Sequence, residues 1–320
     1  MTVSIEKAIL ADICLGIPLG KLVFSALDYE GLEKIAGSAP DTFLFRGEQL
    51  ALMKSLYEKG DSPISQAVSE LSSSADKAMQ EGPFSVTHKP RSRFGEDPHD
   101  YQSLAKYWWP NPDAQGGVPY VNRDGEVNPE CYADDFDYVR LVRFSETVVL
   151  LALAAYLTGR AEYGSRAALL LETWFVDPAT RQNPNFRFGQ NFPGQHDVRN
   201  HALRWYSIIE ARFLIYVTEA VRLLSGSGAL KPASHEKIRA WFSELLTWLL
   251  DSEHGRKAKL AKNNIGFWYD LQCMIYAQFC GRTHLAERII REDVVPRLNA
   301  QMAADGSLPN ELGRAHPKDY

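Results

Sequence analysis

Hydrophobic residues recur at helical spacing near the start of the chain. From Leu50 to Tyr57, and again from Ile64 to Met79, apolar side chains return every three or four positions. The two stretches are separated by Gly-Asp-Ser-Pro at residues 60–63. Glycine commonly follows the end of a helix and proline is tolerated in the first turn of the next, so residues 47–82 are predicted to form a helical hairpin.

The same period returns after the middle of the chain and persists almost to its end. Each segment is rich in apolar residues, with glycine or proline at or just beyond the end of most of them. The predicted helices are residues 137–159, 161–178, 205–226, 235–255, 266–281 and 283–302. No segment alternates apolar and polar residues as a half-buried strand does. The sequence predicts a nearly all-α protein of antiparallel helix pairs, and periodicity alone leaves a solenoid and an (α/α) toroid open.

Residues 83–129 have a different character. Prolines, glycines and aspartates crowd together without a sustained period, along with Tyr101, Tyr107, Trp108, Trp109 and Tyr120. Disordered segments are poor in aromatic residues, so a long ordered loop with a function is predicted. Two interpretations of the rings stay open: they pack over the end of the helical array, or they form a platform for the apolar faces of sugars.

Composition narrows the classes of function. The 320 residues are 45% hydrophobic, which is enough apolar material for a sizeable core. Lys and Arg number 35 against 40 Asp and Glu, a net charge of -5. No overall basic field therefore attracts nucleic acid or a membrane, and a polyanion would need a local cationic groove.

The N-terminal region and the cysteines add little chemistry. The first 24 residues are apolar but interrupted by charges, so they hold no clear secretory core and nothing long enough to span a bilayer. A soluble protein is predicted, with the export route open, and residues 1–42 are taken as a segment preceding a domain at 43–320. The four cysteines form no Cys-x-x-Cys pair, which argues against a disulfide scaffold and a zinc site.

Residues 183–205 concentrate hydrogen-bond donors suited to carboxylates and hydroxyls. The polar members are Arg187, Gln190, Asn191, His196, Arg199, Asn200, His201 and Arg204. The alternative interpretation is a solvated connection between helices, because surface loops are polar by default.

The stretch Asn-Asn-Ile-Gly-Phe-Trp-Tyr-Asp, residues 263–270, opens a predicted helix. Asparagine is among the best residues for capping a helix N-terminus, so either Asn263 or Asn264 is the expected cap. Two asparagines exceed what one cap needs, and the second amide could donate to a substrate carboxylate. Near the end of the chain, Glu311, Arg314, His316 and Tyr320 follow a turn at Asp305-Gly306 without a clear period.

These blocks together resemble a known family. The segments HDYQSLAKYWWPNP, PYVNRDGEVNPE, NNIGFWYDLQ and DGSLPNELGR, with residues 151–190 and the tyrosine at 320, resemble the alginate lyase-like polysaccharide lyases. The resemblance is strongest to the branch with glucuronan lyases and some alginate lyases, and it spans about residues 43–320 in the family's order. It implies a complete or incomplete (α/α) toroid, secretion, and an acidic polysaccharide or oligosaccharide as substrate.

The implied reaction is β-elimination at a uronate, without a metal or cofactor. The C5 proton is weakly acidic because its anion forms beside a carboxylate, so donors must neutralise that carboxylate before a base can act. By resemblance Tyr320 is base and acid, Arg314 favours its phenolate, and Asn264 holds the carboxylate. The residues expected to bind the sugar chain are Tyr101, Tyr107, Trp108, Trp109, Gln190, Asn191, Arg199, His201, Asn263 and Trp268.

The sequence departs from the family in three places. Ile265 stands where members usually carry histidine, and an isoleucine can neither donate a hydrogen bond nor share a proton. Residues 195–209 differ from an expected glycine-rich run, although His196 or His201 could supply an imidazole. Members continue past the catalytic tyrosine, so a chain ending at Tyr320 is expected to be a truncated form or to have lost the lyase role.

Two further hypotheses therefore stand beside the lyase. One is a catalytically impaired descendant that binds a carbohydrate. The other keeps the fold for different chemistry, such as a step in small-molecule biosynthesis, for which a cytoplasmic location is conceivable because no clear signal peptide is present.

Overall fold

Helices dominate the chain, as the apolar period predicts. The computed structural model describes residues 39–95, 97–194 and 201–314, without the side chains of 201–203. The α-helices are α1 (Gly47–Glu58), α2 (Ser62–Ala78), α3 (Tyr138–Thr158), α4 (Ala161–Phe175), α5 (Leu214–Gly226), α6 (Pro232–Asp251), α7 (Glu253–Lys259), α8 (Asn264–Phe279), α9 (Thr283–Ile289), α10 (Val295–Gln301) and α11 (Pro309–Leu312). The predicted hairpin of α1 and α2 is confirmed, and Asp61 caps α2 by accepting from Ile64 N–H.

Three predicted helices are not continuous α-helices, and the one at 235–255 is divided at Ser252, between α6 and α7. The segment His201–Phe213, which precedes α5, is a 3-10 helix with a non-helical residue at Arg204. The predicted helix at 283–302 is divided by a π-helical turn, Ile290–Val294. Pro296 lies in the first turn of α10, just after that turn, where its missing N–H removes a bond from the regular ladder.

The long loop regions carry four short strands, which apolar and polar alternation could not reveal because each has only two to four residues. Strand β1 (Gln102–Leu104) pairs in parallel with β4 (Phe188–Asn191). Strand β2 (Trp108–Trp109) pairs antiparallel with β3 (Val121–Asn122). The predicted ordered loop is therefore held by backbone pairing at two places.

The described residues form two compact units, each made of three chain segments. The first unit contains residues 39–84, 142–176 and 216–238. In its core Phe144 stacks on Trp174 with ring centroids 4.5 Å apart. The buried Glu219 carboxylate accepts backbone N–H groups of residues 43–45, which fixes the chain entering α1.

The second unit contains residues 85–141, 177–215 and 239–314, apart from those not described. Phe242 packs with Tyr276 and Phe279 at ring-centroid distances of 5.1 Å. The Tyr276 hydroxyl donates to the Ala211 carbonyl oxygen at 2.7 Å, which joins α8 to the 3-10 helix. This packing fixes the position of α8, which carries the two asparagines.

Helix α3 is the one described helix that is long and apolar enough to cross a membrane. Its most apolar window is 67% buried within the protein. That burial is typical of a core helix, whose apolar surface is already covered by other parts of the same chain.

Gly266, in the first turn of α8, permits a close contact that no other residue allows. A Cβ atom there would lie 2.3 Å from Arg297 Nη1 and 2.4 Å from the Ala261 carbonyl oxygen. The Arg297 guanidinium fills this space, donating to Ala261 O at 2.7 Å and to Asp270 at 2.6 Å. The absence of a side chain at Gly266 therefore lets α10 anchor the start of α8.

We expect Gly266→Ala to lower the free energy of unfolding by roughly 1–3 kcal/mol, because overpacking exceeds the ~1 kcal/mol that alanine contributes to a helix. The matched control is Gly226→Ala at the end of α5, where nothing lies within 4 Å of the added Cβ. That control should leave stability unchanged or raise it slightly. Equal unfolding midpoints in urea for the two variants would contradict the contact.

Candidate functional site

The described site residues that the sequence predicts all lie in the second unit. They occur on α8, in the loop that carries β2 and β3, on β4, and just after α11. Tyr320 and Arg199 lie outside the described residues, as does His196, and nothing is described of the His201 side chain. Their predicted roles stay predictions.

Asn263 is the cap of α8. Its backbone is extended and its side-chain oxygen accepts the Ile265 N–H at 3.3 Å, as the N-cap prediction requires. Its amide is therefore engaged with the helix end, and the capping prediction is confirmed for the first asparagine.

Asn264 is held differently, because only its backbone N–H takes part in capping the N-terminus of α8. Its N–H donates to the Glu311 carboxylate. Its side-chain Oδ1 is buried and has no hydrogen-bond partner in the structure. The oxygen and nitrogen of an amide exchange places by a simple flip, so this position can present either an acceptor or a donor. The side-chain amide of Asn264 is thus not used by the cap.

Two acidic residues and Arg314 surround the start of α8. Glu311 is 8% exposed, and its negative charge is favourable at a helix N-terminus. Arg314 lies 3.4 Å from Glu311 Oε2 and 3.4 Å from Asp124 Oδ1, in the turn after β3. Arg314 therefore connects the aromatic loop to the N-terminus of α8, and its charge is shared between two carboxylates.

Trp268 lies one turn after Asn264 on α8, at the i, i+4 spacing that places two side chains on the same helix face. It is partly exposed, and the Arg212 guanidinium lies 5.8 Å from its ring centroid. Ile265, at the position of the expected histidine, is also partly exposed.

The aromatic loop, residues 83–129, packs on the polar loop at residues 183–205. Trp108 stacks on Phe192, just after β4, with ring centroids 3.7 Å apart and planes 8° apart. Trp109 donates its indole N–H to the Glu126 carbonyl oxygen at 2.9 Å and has Arg123 over its ring. These contacts hold the rings of Trp108 and Trp109 in place, and Tyr107, Trp108 and Trp109 all remain partly exposed.

Tyr101 is a support beneath the site and does not line it. Its side chain is 1% exposed, and its hydroxyl donates to Glu210 Oε2 at 2.9 Å. Such burial is incompatible with the predicted contact to a sugar. Ser103 donates to the same oxygen of Glu210 at 2.6 Å. Burial raises the pKa of Glu210, and the bonds from Ser103 and Tyr101 oppose that rise.

Gln190 is the one non-glycine residue with positive φ among the described residues. At φ 49° its backbone lies in the left-handed region, which is unfavourable for side chains with a Cβ. Its N–H donates to Ser103 Oγ at 2.7 Å, so the Glu210 network holds this strained conformation. Strain of this kind concentrates at functional sites. Asn191 follows it, 4% exposed, with its side-chain oxygen accepting the Phe192 N–H.

Lys106 and Tyr138 form a pair with acid–base character that the sequence pattern does not indicate. Lys106 donates to the Tyr138 hydroxyl at 2.7 Å. Burial alone would lower the pKa of Lys106, but Tyr138 and Glu210 outweigh burial and raise it. Lys106 directly precedes the aromatic run, whereas nothing in the sequence singles out Tyr138.

A cavity of about 440 Å³ lies between the aromatic loop and β4. Its apolar wall includes Phe94, Phe136 and Phe192. Its polar wall includes Asn191, Arg93, Arg204, Tyr120, Glu130 and Asp135. Tyr120 donates to Glu130 at 2.7 Å, and burial together with that acceptor raises the pKa of Tyr120 to about 12. The cavity can therefore accept a flat apolar face together with polar groups.

Within the described ranges, no group of three or more His, Cys, Asp or Glu residues is arranged to hold a metal ion. Arg, Asn, Gln, Lys and Tyr dominate the site instead. Arg, Asn, Gln and Lys side chains can bind anions by hydrogen bonds, and Lys and Tyr can exchange protons.

The chain is similar to known proteins over most of its length. The alginate lyase family model matches residues 85–320. The chain is also similar to a crystal structure of an alginate lyase from Bacteroides ovatus, with 34% sequence identity and a TM-score of 0.82. That similarity covers 88% of this chain and 72% of the other, while no curated protein matches. The predicted fold class, an all-α fold of the (α/α) toroid type, is confirmed, and the chain belongs to the alginate lyase family of polysaccharide lyases.

Proposed function

We propose that this protein cleaves 4-linked uronate polymers, glucuronan or alginate, by β-elimination. Family membership and the similarity to an alginate lyase support the class of substrate. The observation that carries the proposal is that the two asparagines at α8 have different roles. Asn263 supplies the cap, which leaves the amide of Asn264 to bind a carboxylate.

The reaction needs a neutralised carboxylate, a base and an acid. The base removes the C5 proton, the C4–O bond breaks, and its electron pair leaves with the oxygen while C4 and C5 form a double bond. The departing oxygen takes a proton from the acid. The products are a new sugar end and an unsaturated uronate, so no water and no oxidant are consumed.

Each residue has a role that its chemistry permits. Asn264 donates to the substrate carboxylate and lowers the cost of charge at C5. Tyr320 is base and acid, and Arg314 provides positive charge near it. Gln190 and the partly exposed rings of Tyr107, Trp108 and Trp109 hold the sugar chain.

A second candidate function is carbohydrate binding without turnover. Ile265 favours it, because an apolar side chain replaces a group that would donate a hydrogen bond or exchange a proton. In that case the aromatic and amide groups would still bind a uronate chain, and no double bond would form.

Purified protein should release unsaturated uronate from polyglucuronate, polymannuronate or polyguluronate, seen as rising ultraviolet absorbance. The double bond conjugated to the carboxylate is the absorbing group. Tyr320→Phe should abolish the rise while the protein stays folded, because phenylalanine cannot exchange a proton.

A flat trace on all three polymers from folded wild-type protein would reject the lyase. A flat trace that becomes a rise in Ile265→His would identify a decayed lyase, in agreement with the second candidate. These outcomes are read with the same protein concentrations and with circular dichroism as the folding control.

Substitution of Asn263 should affect stability, and substitution of Asn264 should affect turnover. Asn263→Ala should lower the free energy of unfolding by about 1 kcal/mol through loss of the cap and leave kcat near the wild-type value. Asn264→Ala should keep the cap and lower kcat by about 100-fold, as loss of one anion-stabilising donor does. Thermal unfolding and initial rates measure the two effects. Loss of kcat in Asn263→Ala, with loss of stability in Asn264→Ala, would refute these separate roles.

Gln190→Gly should relieve backbone strain and weaken substrate binding. We expect the glycine variant to be more stable than Gln190→Ala by about 1 kcal/mol, since only alanine keeps a Cβ in the left-handed region. Both variants lack the amide, so both should raise KM to a similar extent. Equal stability of the two variants would show that the backbone at this position is unstrained.

A further inference from the structure

Arg204 carries a buried guanidinium for which the described residues offer no matching acid. Arg204 is 3% exposed, and its buried Nε atom has no hydrogen-bond partner among the described residues. Its guanidinium carbon lies 5.0 Å from the ring centroid of Phe192, and Tyr206 also interacts with it electrostatically. No described residue forms an ion pair or a hydrogen bond with it.

Such an arrangement is costly in the absence of a ligand. A charge removed from water needs a counter-charge or several hydrogen bonds, and contact with an aromatic face supplies only part of that. Burial lowers the pKa of Arg204, and Tyr206 partly opposes this effect. Arginine nevertheless stays protonated in proteins, so a positive charge remains in the wall of the cavity.

The other charged groups of the cavity wall each have a hydrogen-bond partner, although that of Glu130 is a neutral hydroxyl. Asp135 accepts from both Arg91 and Arg93. Glu130 accepts from the Tyr120 hydroxyl at 2.7 Å. The acids of the cavity are thus engaged, and Arg204 is the cation in the wall for which the described residues offer no acid.

The surroundings of Arg204 fit a particular kind of anion. The cavity of about 440 Å³ is within the range of small-ligand sites. Phe192, Phe94 and Phe136 supply apolar surface, which suits the face of a sugar ring. A planar guanidinium matches the two oxygens of a carboxylate, and Asn191 in the same wall is a predicted sugar-binding residue.

We propose that Arg204 binds the carboxylate of one uronate residue in this cavity, as a specificity-determining contact distinct from the amide of Asn264. The inference rests on the proposed function, since the anion is taken from its class of substrate. It makes the cavity a subsite that selects uronates over neutral sugars.

The test uses ligands that no lyase can cleave. Methyl glucuronoside and methyl mannuronoside carry the carboxylate but no 4-linked leaving sugar, and methyl glucoside and methyl mannoside replace that carboxylate with a neutral group. Dissociation constants are measured by ligand titration in NMR for wild type, Arg204→Gln and Arg93→Gln. Arg93 is the matched control, because it lines the same cavity but its charge is paired with Asp135.

Arg204→Gln should weaken binding of at least one uronate about tenfold or more and change neutral-sugar binding less than about twofold, because only the uronate loses a charge-assisted bond. Arg93→Gln should change either affinity by less than about threefold, as expected for a partly exposed pair. In the absence of sugar, Arg204→Gln should melt at the wild-type temperature or above it, since it removes an unpaired buried charge.

Three results would overturn the inference. They are equal uronate affinity in wild type and Arg204→Gln, equal loss in the Arg93 control, and no preference of wild type for either uronate over its neutral partner. A melting temperature well below wild type would indicate a structural role instead. Arg204-dependent uronate binding without polymer cleavage would reject only the lyase, and cleavage without Arg204-dependent binding would reject only this subsite.

Discussion

The candidate site depends on the hydrogen bonds that the buried Glu210 carboxylate accepts. One of its oxygens accepts from Tyr101 and Ser103 on the β1 side. Through Ser103 the same network reaches the backbone of Gln190 on β4. The sheet of β1 and β4 is too short to be stable by itself, so this polar network and the packed aromatic rings determine where the two loops meet. The rings of Trp108 and Phe192 then stack above a fixed base.

Charge pairing explains which cations of the second unit are available to a ligand. Lys89 is held against Asp137 at 3.2 Å in a buried pair, and Arg297 against Asp270 at 2.6 Å in a largely buried one. Arg314 is shared between two carboxylates. Buried pairs of this kind fix geometry more than they add stability. Arg204 differs because its partner, among the described residues, is an aromatic ring and not an acid.

Much of the architecture followed from local sequence patterns, and the support of the site did not. The helical spacing of apolar residues was sufficient, with Gly60 and Pro63, to predict the α1–α2 hairpin. An asparagine before an apolar run was sufficient to predict the cap of α8. The Ser103 and Glu210 contact joins residues 107 positions apart, so no local pattern could report it.

The same limit applies to burial. Arg204 stood among several polar residues of one loop, and sequence could not separate it from Arg187, which is exposed and paired with Asp100. Tyr101 was expected to bind sugar because it lies near the aromatic run, yet tertiary packing turns it inward. The short strands were invisible for a simpler reason, since two to four residues are too few for alternation to appear.

The capping of α8 by Asn263 has a consequence for how this protein can evolve. Because the helix end is satisfied by one asparagine and by the Glu311 carboxylate, neither the amide of Asn264 nor the side chain at 265 is needed to keep α8 folded. Selection for stability and selection for chemistry therefore act on different neighbours. A lineage can exchange histidine for isoleucine at 265 and explore new ligands, while the scaffold that presents them is inherited intact.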